Sequence, residues 1–239
     1  MATSGVYTWE MTRDQIITDA LRKVGAIDEE STPTAAQLTL GARALNGVIK
    51  TLAGSVGMPL WAIDETSITL TATPTYTIGI GQTVNVAKPI KIIQAWRYDS
   101  TIPGGPEIRV ISQHDYNRLP NKAITGTPIQ IAYEPGLTSG VVSVYPTPDS
   151  YSITNTVIKI RYHRQFQDFS AAGDTPDFPV EWHLPVTFHL ALAISPDYGV
   201  PKQDKQDLKS LADMYTEMAQ QASYEDAPFN IQPDLGPRK

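Results

Sequence analysis

The chain has 239 residues, of which 41% are hydrophobic and 18% charged, and its formal net charge is −6. That is enough apolar material to bury a core, and the acidic balance argues against a whole-surface phosphate-binding protein. The lack of any cysteine excludes disulfide frameworks, thiol nucleophiles, Cys-ligated zinc and iron–sulfur clusters.

The first 60 residues read as two helices. Met11 to Val24 places Ile16, Ile17, Ala20, Leu21 and Val24 on one stripe. Thr12 and Gln15 have the spacing of a capping box, and Gly25 is a natural stop. A second helix is expected from about Thr34 to Leu52, with Thr32-Pro33 as its cap and first position. The acidic loop Asp28 to Ser31 joins the two as a helical hairpin.

From about Asp64 the apolar period falls from 3.6 to 2. Seven of the chain's 25 threonines lie between Thr66 and Thr83. Strands are expected at Tyr76–Ile80, Ile90–Tyr98, Glu107–Ile111, Ile129–Tyr133, Val141–Tyr145 and Ile153–Tyr162. Proline- and glycine-rich turns separate them, which suggests an antiparallel sandwich or small barrel. His114 to Lys122 is expected to form a short helical turn.

Helix returns after Pro179. Val186 to Ile194 is apolar on nearly every side, as in a buried helix. This nine-residue run includes His189 and falls well short of the roughly 20 residues a membrane span needs. A last helix from about Lys202 to Ala222 buries Leu208, Leu211, Ala212, Tyr215, Met218 and Ala222. Ser223 to Lys239 loses periodicity and is expected to be an extended tail with isolated apolar residues Phe229, Ile231 and Leu235. The expected fold is therefore α+β. Residues 1–62 and 165–222 form a four-helix domain, residues 63–164 form an inserted antiparallel β sandwich or barrel, and residues 223–239 are the tail. Met1 to Glu10 has no signal-peptide core, so synthesis in a cytosol and no membrane association are expected.

Nothing in the sequence converges on an active site. His183 and His189 are six apart, the wrong spacing for a metal pair on a helix. His163 reads as a solvated strand end, and His114-Asp115 as a lone pair without a nucleophile. Gly79-Ile80-Gly81 reads as a turn or bulge, and Asp28-Glu29-Glu30 as a solvated loop. No enzyme activity, metal or cofactor is expected. Trp61 and Trp182 sit at the helix–sheet borders and read as inter-domain packing more than ligand stacking. Tyr145, Tyr151 and Tyr162 leave open a carbohydrate-binding face, and hence a carbohydrate- or ligand-binding β module carried on helices.

Four stretches then fall into a pattern. Ile16-Ile17-Thr18-Asp19-Ala20-Leu21-Arg22-Lys23-Val24-Gly25 is followed by Ala44-Leu45-Asn46-Gly47-Val48-Ile49-Lys50 and by Gly57-Met58-Pro59-Leu60-Trp61. Asp177-Phe178-Pro179-Val180-Glu181-Trp182, with Leu190 to Ile194 and Pro196-Asp197-Tyr198-Gly199, completes the set. In this order they resemble the head-to-tail adaptor family of short-tailed bacteriophages, also called head-completion, tail tubular or packaged-DNA-stabilisation proteins, over most of residues 10 to 222. The resemblance implies a structural protein of the virion neck, made in the host cytoplasm. It implies a homo-oligomeric ring of twelve copies that docks under the portal protein, extends the DNA channel without sequence-specific binding, and carries a tail nozzle or tubular protein. It also implies that the tail reaches along or into the portal, and the tail's isolated apolar residues Phe229, Ile231 and Leu235 would be its anchors. Another neck component, such as a stopper, is the nearest alternative.

Overall fold

The computed structural model describes residues 5, 9–55, 60–101 and 104–222. Helix α1 (Arg13–Lys23) opens on the expected capping box: the Gln15 amide donates to Thr12 Oγ1 at 3.4 Å, and the Thr12 amide donates to Gln15 Oε1 at 2.8 Å. Gly25, at φ +68, closes it, with the Ala26 amide donating to the Leu21 carbonyl at 3.0 Å. Helix α2 (Ala35–Ser55) follows. Its cap is Thr34 rather than Thr32. Thr34 Oγ1 accepts from the Gln37 amide, and Gln37 Oε1 accepts from the Thr34 amide at 2.9 Å. The glutamine three residues on selects the cap, and it stands opposite Thr34 and not Thr32.

A 3₁₀ turn, Leu60–Ala62, leads into β1 (Ile63–Thr69), followed by β2 (Thr75–Ile78), β3 (Lys91–Asp99) and β4 (Glu107–Ile111). Helix α3 (Gln113–Arg118) and the short β5 (Thr125–Gly126) precede β6 (Gln130–Pro135), β7 (Gly140–Tyr145) and the short β8 (Thr147–Pro148). Helix α4 (Ser150–Asn155) then leads into β9 (Thr156–His163). The expected strand start at Ile153 is thus helical. Asp149 Oδ1 accepts the Ser152 amide at 2.8 Å and caps one helical turn before the extended run begins.

Seven strands form one nearly closed, barrel-like sheet in the order β1-β9-β3-β4-β6-β7-β2. It is mixed rather than purely antiparallel, because β4 pairs with β6 in parallel, Arg109 facing Gln130. Residues 112–129, including α3, return the chain to the opposite end of the sheet, as a parallel pair requires. The paired β5 and β8 are also parallel. Along β9 the buried Ile158, Ile160 and Tyr162 alternate with outward residues. With Ile68, Tyr76, Ile78, Ile108, Ile131 and Val142 they fill the sheet's interior.

A 3₁₀ turn, Val180–Trp182, opens α5 (His183–Ile194), and α6 (Lys202–Gln221) follows. A second hydrophobic cluster draws Ile16, Ile17 and Leu21 from α1, Leu45 and Ile49 from α2, Leu190 and Ile194 from α5, and Leu208 and Ala212 from α6. Pro185 lies in the first turn of α5, where its missing amide hydrogen costs no helical bond. On α6, Leu211 and Met218 are exposed, as is Ala222 just after it, all against expectation, and the buried stripe is Leu208, Ala212 and Ala219. The periodicity of α6 is apolar on two adjoining faces, and only one meets the core. No described helix is long and apolar enough to cross a membrane.

Candidate functional site

The chain leaves the helical cluster at Ala62 and re-enters it at Arg164, and aromatic side chains gather where it does so. Trp61 precedes β1, Phe166 follows β9, and Trp182 opens α5. The rings of Trp61 and Phe166 stack at 4.8 Å, and Trp61 meets Trp182 edge-on at 5.9 Å. Trp182 is 3% exposed, and neither indole N–H has a partner among the described residues. The structure thus brings Trp61 and Trp182 together. Phe229, Ile231 and Leu235 lie outside the described residues.

Around this joint, α2 grips the segment that follows β9. Asn46 Nδ2 donates to the Phe169 carbonyl at 3.0 Å, and Asn46 Oδ1 accepts the Phe169 amide at 2.9 Å. One turn on, Lys50 Nζ donates to the Phe166 carbonyl at 2.6 Å and pairs with Asp168 at 2.8 Å. Two polar residues four apart on one face of α2 were the available signal for this clamp, and sequence reasoning assigned them no role. Further along, the Arg164 guanidinium pairs with the Asp177 carboxylate, which also accepts the Gln167 amide at 2.9 Å.

The four histidines separate by environment. His114 is exposed on α3, and its neighbour Asp115 works as a capping partner of Ser112, at 2.7 Å. His163 is not a solvated strand end, because at the last position of β9 it is only 3% exposed. His183 sits under Trp9 and Phe178, with ring separations of 5.3 and 5.7 Å. His189 Nε2 shares a 3.0 Å hydrogen bond with Thr216 Oγ1 on α6.

Burial pushes His163, His183 and His189 below the ordinary histidine range, reinforced at His163 by Arg164 and opposed at His183 by Glu10 and Glu181 and at His189 by Asp213. The unfolded chain therefore binds more protons than the folded one once pH falls below about 6.5. Stability should be full above that value and decline as pH drops through the lowered folded values. Thermal melts at pH 7.5, 6.0 and 5.0 test this, and an unchanged melting temperature across the series would contradict it.

The tyrosines do not compose a sugar face. Tyr162 is buried in the sheet interior, the Tyr145 hydroxyl donates to the Pro120 carbonyl at 3.2 Å, and Tyr151 is exposed on α4. Tyr151 hydroxyl donates to Asp99 Oδ2 at 2.9 Å in a small cleft of about 200 Å³ that also holds Arg97 and Thr127. Among the described residues no group of three or more His, Asp or Glu could hold a metal ion. What the surface does offer is apolar area for contact. Leu211, Met214 and Met218 line one exposed stripe of α6, and an apolar groove of about 530 Å³ runs between α2 and α5.

Compared with known protein families, the chain matches the SU10 adaptor protein family over residues 11–232. The chain belongs to the SU10 adaptor family. The match starts two residues before α1 and takes in every described helix and strand. It covers the region in which the four motif stretches resemble phage head-to-tail adaptors. An SU10 adaptor is a structural protein of the phage neck, consistent with a surface rich in contact area. A comparison with curated proteins finds no match.

Proposed function

We propose that this SU10 adaptor is a non-enzymatic, ring-forming component of the virion neck. It docks under the portal protein, continues the DNA channel, and provides the platform for a tail nozzle or tubular protein. The observation that carries this reading is the family match over residues 11–232. Twelve copies close the ring through head-to-tail contacts. Residues 1–62 and 165–222 form its four-helix ring domain, residues 63–164 its β domain, and residues 223–239 its portal-docking tail, anchored by Phe229, Ile231 and Leu235. The two hydrophobic clusters share no residue, which supports this division.

The net charge of −6 fits a conduit that does not grip its cargo. Each phosphate held by a lysine or arginine is an attraction that moving DNA must break. A lumen without a continuous basic lining lets DNA pass. Synthesis takes place in the host cytoplasm, and the protein ends in the virion neck between portal and tail.

Electron microscopy of the full chain mixed with portal protein tests the reading. Closed rings seated on the portal are expected, and a chain that stays monomeric beside portal would overturn it. Truncation after Tyr224 is expected to leave the melting temperature unchanged while weakening portal binding by roughly tenfold or more, about 1.4 kcal/mol. Unchanged binding would remove the role given to Phe229, Ile231 and Leu235.

A further inference from the structure

The groove between α2 and α5 is lined by Ala44, Gly47, Val48 and Thr51 on one wall and by His189 and Ala193 on the other. Its floor is apolar and its α2 wall is made of small side chains, so another helix can approach closely. No described segment of the chain fills it. The exposed stripe of α6 is the complementary shape: Met214 and Met218 follow Leu211 by three and seven residues and project as a flexible apolar ridge.

The two surfaces cannot meet within one chain. At about 100° per residue, Thr216 falls on one side of the buried Leu208–Ala212–Ala219 stripe and Leu211, Met214 and Met218 on the other. Thr216 is bonded to His189, which lines the groove, so the groove opens on the Thr216 side. The ridge faces the opposite flank. Two complementary patches on opposite flanks make a heterologous contact, and a contact of that kind can close into a ring.

Charge follows the same division. Asp204 and Asp207 lie on the ridge side of α6, whereas Lys205 and Lys209 lie on the Thr216 side. On α2 the exposed Arg43 precedes the groove residue Ala44. None of these five groups takes part in a salt bridge among the described residues. An acidic-edged ridge thus faces one way, whereas the groove side, which carries Lys205, Lys209 and Arg43 together with Asp213 acting on His189, is net basic.

From this complementarity we infer that the groove between α2 and α5 receives the Leu211–Met214–Met218 ridge of α6 from a second copy of this chain. This rests on the ring reading above and names the surfaces that close it. Asp204 and Asp207 of the incoming copy then meet Lys205, Lys209 and Arg43 of the receiving one, which fixes direction and disfavours ridge-to-ridge pairing.

Disulfide trapping tests the assignment, because the chain has no cysteine of its own. A Cβ at Gly47 meets nothing within 4 Å and Met214 is 40% exposed, so Gly47→Cys and Met214→Cys suit the fold. Oxidation of the full-length double variant mixed with portal protein should yield a ladder running past dimer to trimer and beyond. Neither single variant should crosslink. Asp207→Lys should reduce the ladder roughly tenfold or more, and adding Lys205→Asp and Lys209→Asp should restore it. Rings seen by microscopy without a ladder would place the contact elsewhere and overturn this assignment while leaving the ring intact. Monomers beside portal would overturn both readings. Dimers from Met214→Cys alone would show ridges meeting face to face, and a link within one molecule of a Gly47→Cys/Phe229→Cys chain would give the groove to the chain's own last residues. Either result also overturns it.

Discussion

Trp182→Ala is expected to lower the free energy of unfolding by about 3–5 kcal/mol. The indole is 3% exposed, meets Trp61 edge-on, and opens α5, the helix whose Leu190 and Ile194 lie in the same core as α1, α2 and α6. Removing it leaves a cavity between elements that are far apart in the chain and cannot easily collapse. Trp182→Phe makes the contrast. It keeps most of the ring and discards an N–H that has no partner among the described residues, so it should cost less than about 1.5 kcal/mol. Urea unfolding of both variants decides the matter. An alanine variant within about 1 kcal/mol of the parent would mean that the joint is not a packed one.

The second large effect concerns two glycines on α2 that sequence propensity treats alike. A Cβ at Gly41 would overlap the side chain of Ile17, itself fully buried on α1, whereas a Cβ at Gly47 meets nothing. Alanine in place of glycine favours a helix by about 1 kcal/mol in the absence of other contacts. Gly47→Ala should therefore stabilise by about 0.5–1 kcal/mol. Gly41→Ala should destabilise by about 1–3 kcal/mol, because the overlap forces α1 away from α2. Shortening the obstacle with Ile17→Val should recover part of that loss, at its own cost of about 0.5–1.5 kcal/mol. Opposite signs at Gly41 and Gly47 are the readout. Two stabilising results would show that α1 and α2 are not in close contact there.

Local signals were the ones legible in the sequence. The capping pair Thr12 and Gln15, the stop at Gly25 and the buried stripe of α1 follow from residues within one or two turns of each other. A different local rule, proline at the first helical position, put the α2 cap at Thr32 instead of Thr34. Ile153 to Asn155 look like strand by composition, but the distant-looking Asp149 caps them into a helical turn. The parallel pairing of β4 with β6 was not legible, because hairpin-like spacing says nothing about where a helix such as α3 carries the chain. His163 was misplaced because strand ends are usually wet, and this one is buried where the chain turns back toward the helical cluster. The functional surfaces were the least legible part. Trp61 and Trp182 could be flagged as border aromatics, but Leu211 and Met218 look like core in any helical periodicity. Only the packed structure shows that Leu208, Ala212 and Ala219 occupy the core in their stead.

The hydrogen bond between the Arg164 amide and the Ala62 carbonyl, at 2.9 Å, has a kinetic meaning. Residues of the helical cluster come from both sides of a stretch of about a hundred residues, so its contacts have high sequence separation and a slow closure in an unfolded chain. The β1–β9 ladder pairs Ile63 with His163 and so removes that separation for the helices once it has formed. Once it forms, α2 and α5 are joined by a short effective loop instead of a long one. The sheet is then expected to be the nucleus on which the split helical half assembles. Ile158→Ala in β9 should accordingly slow folding, whereas Leu208→Ala in α6 should chiefly speed unfolding.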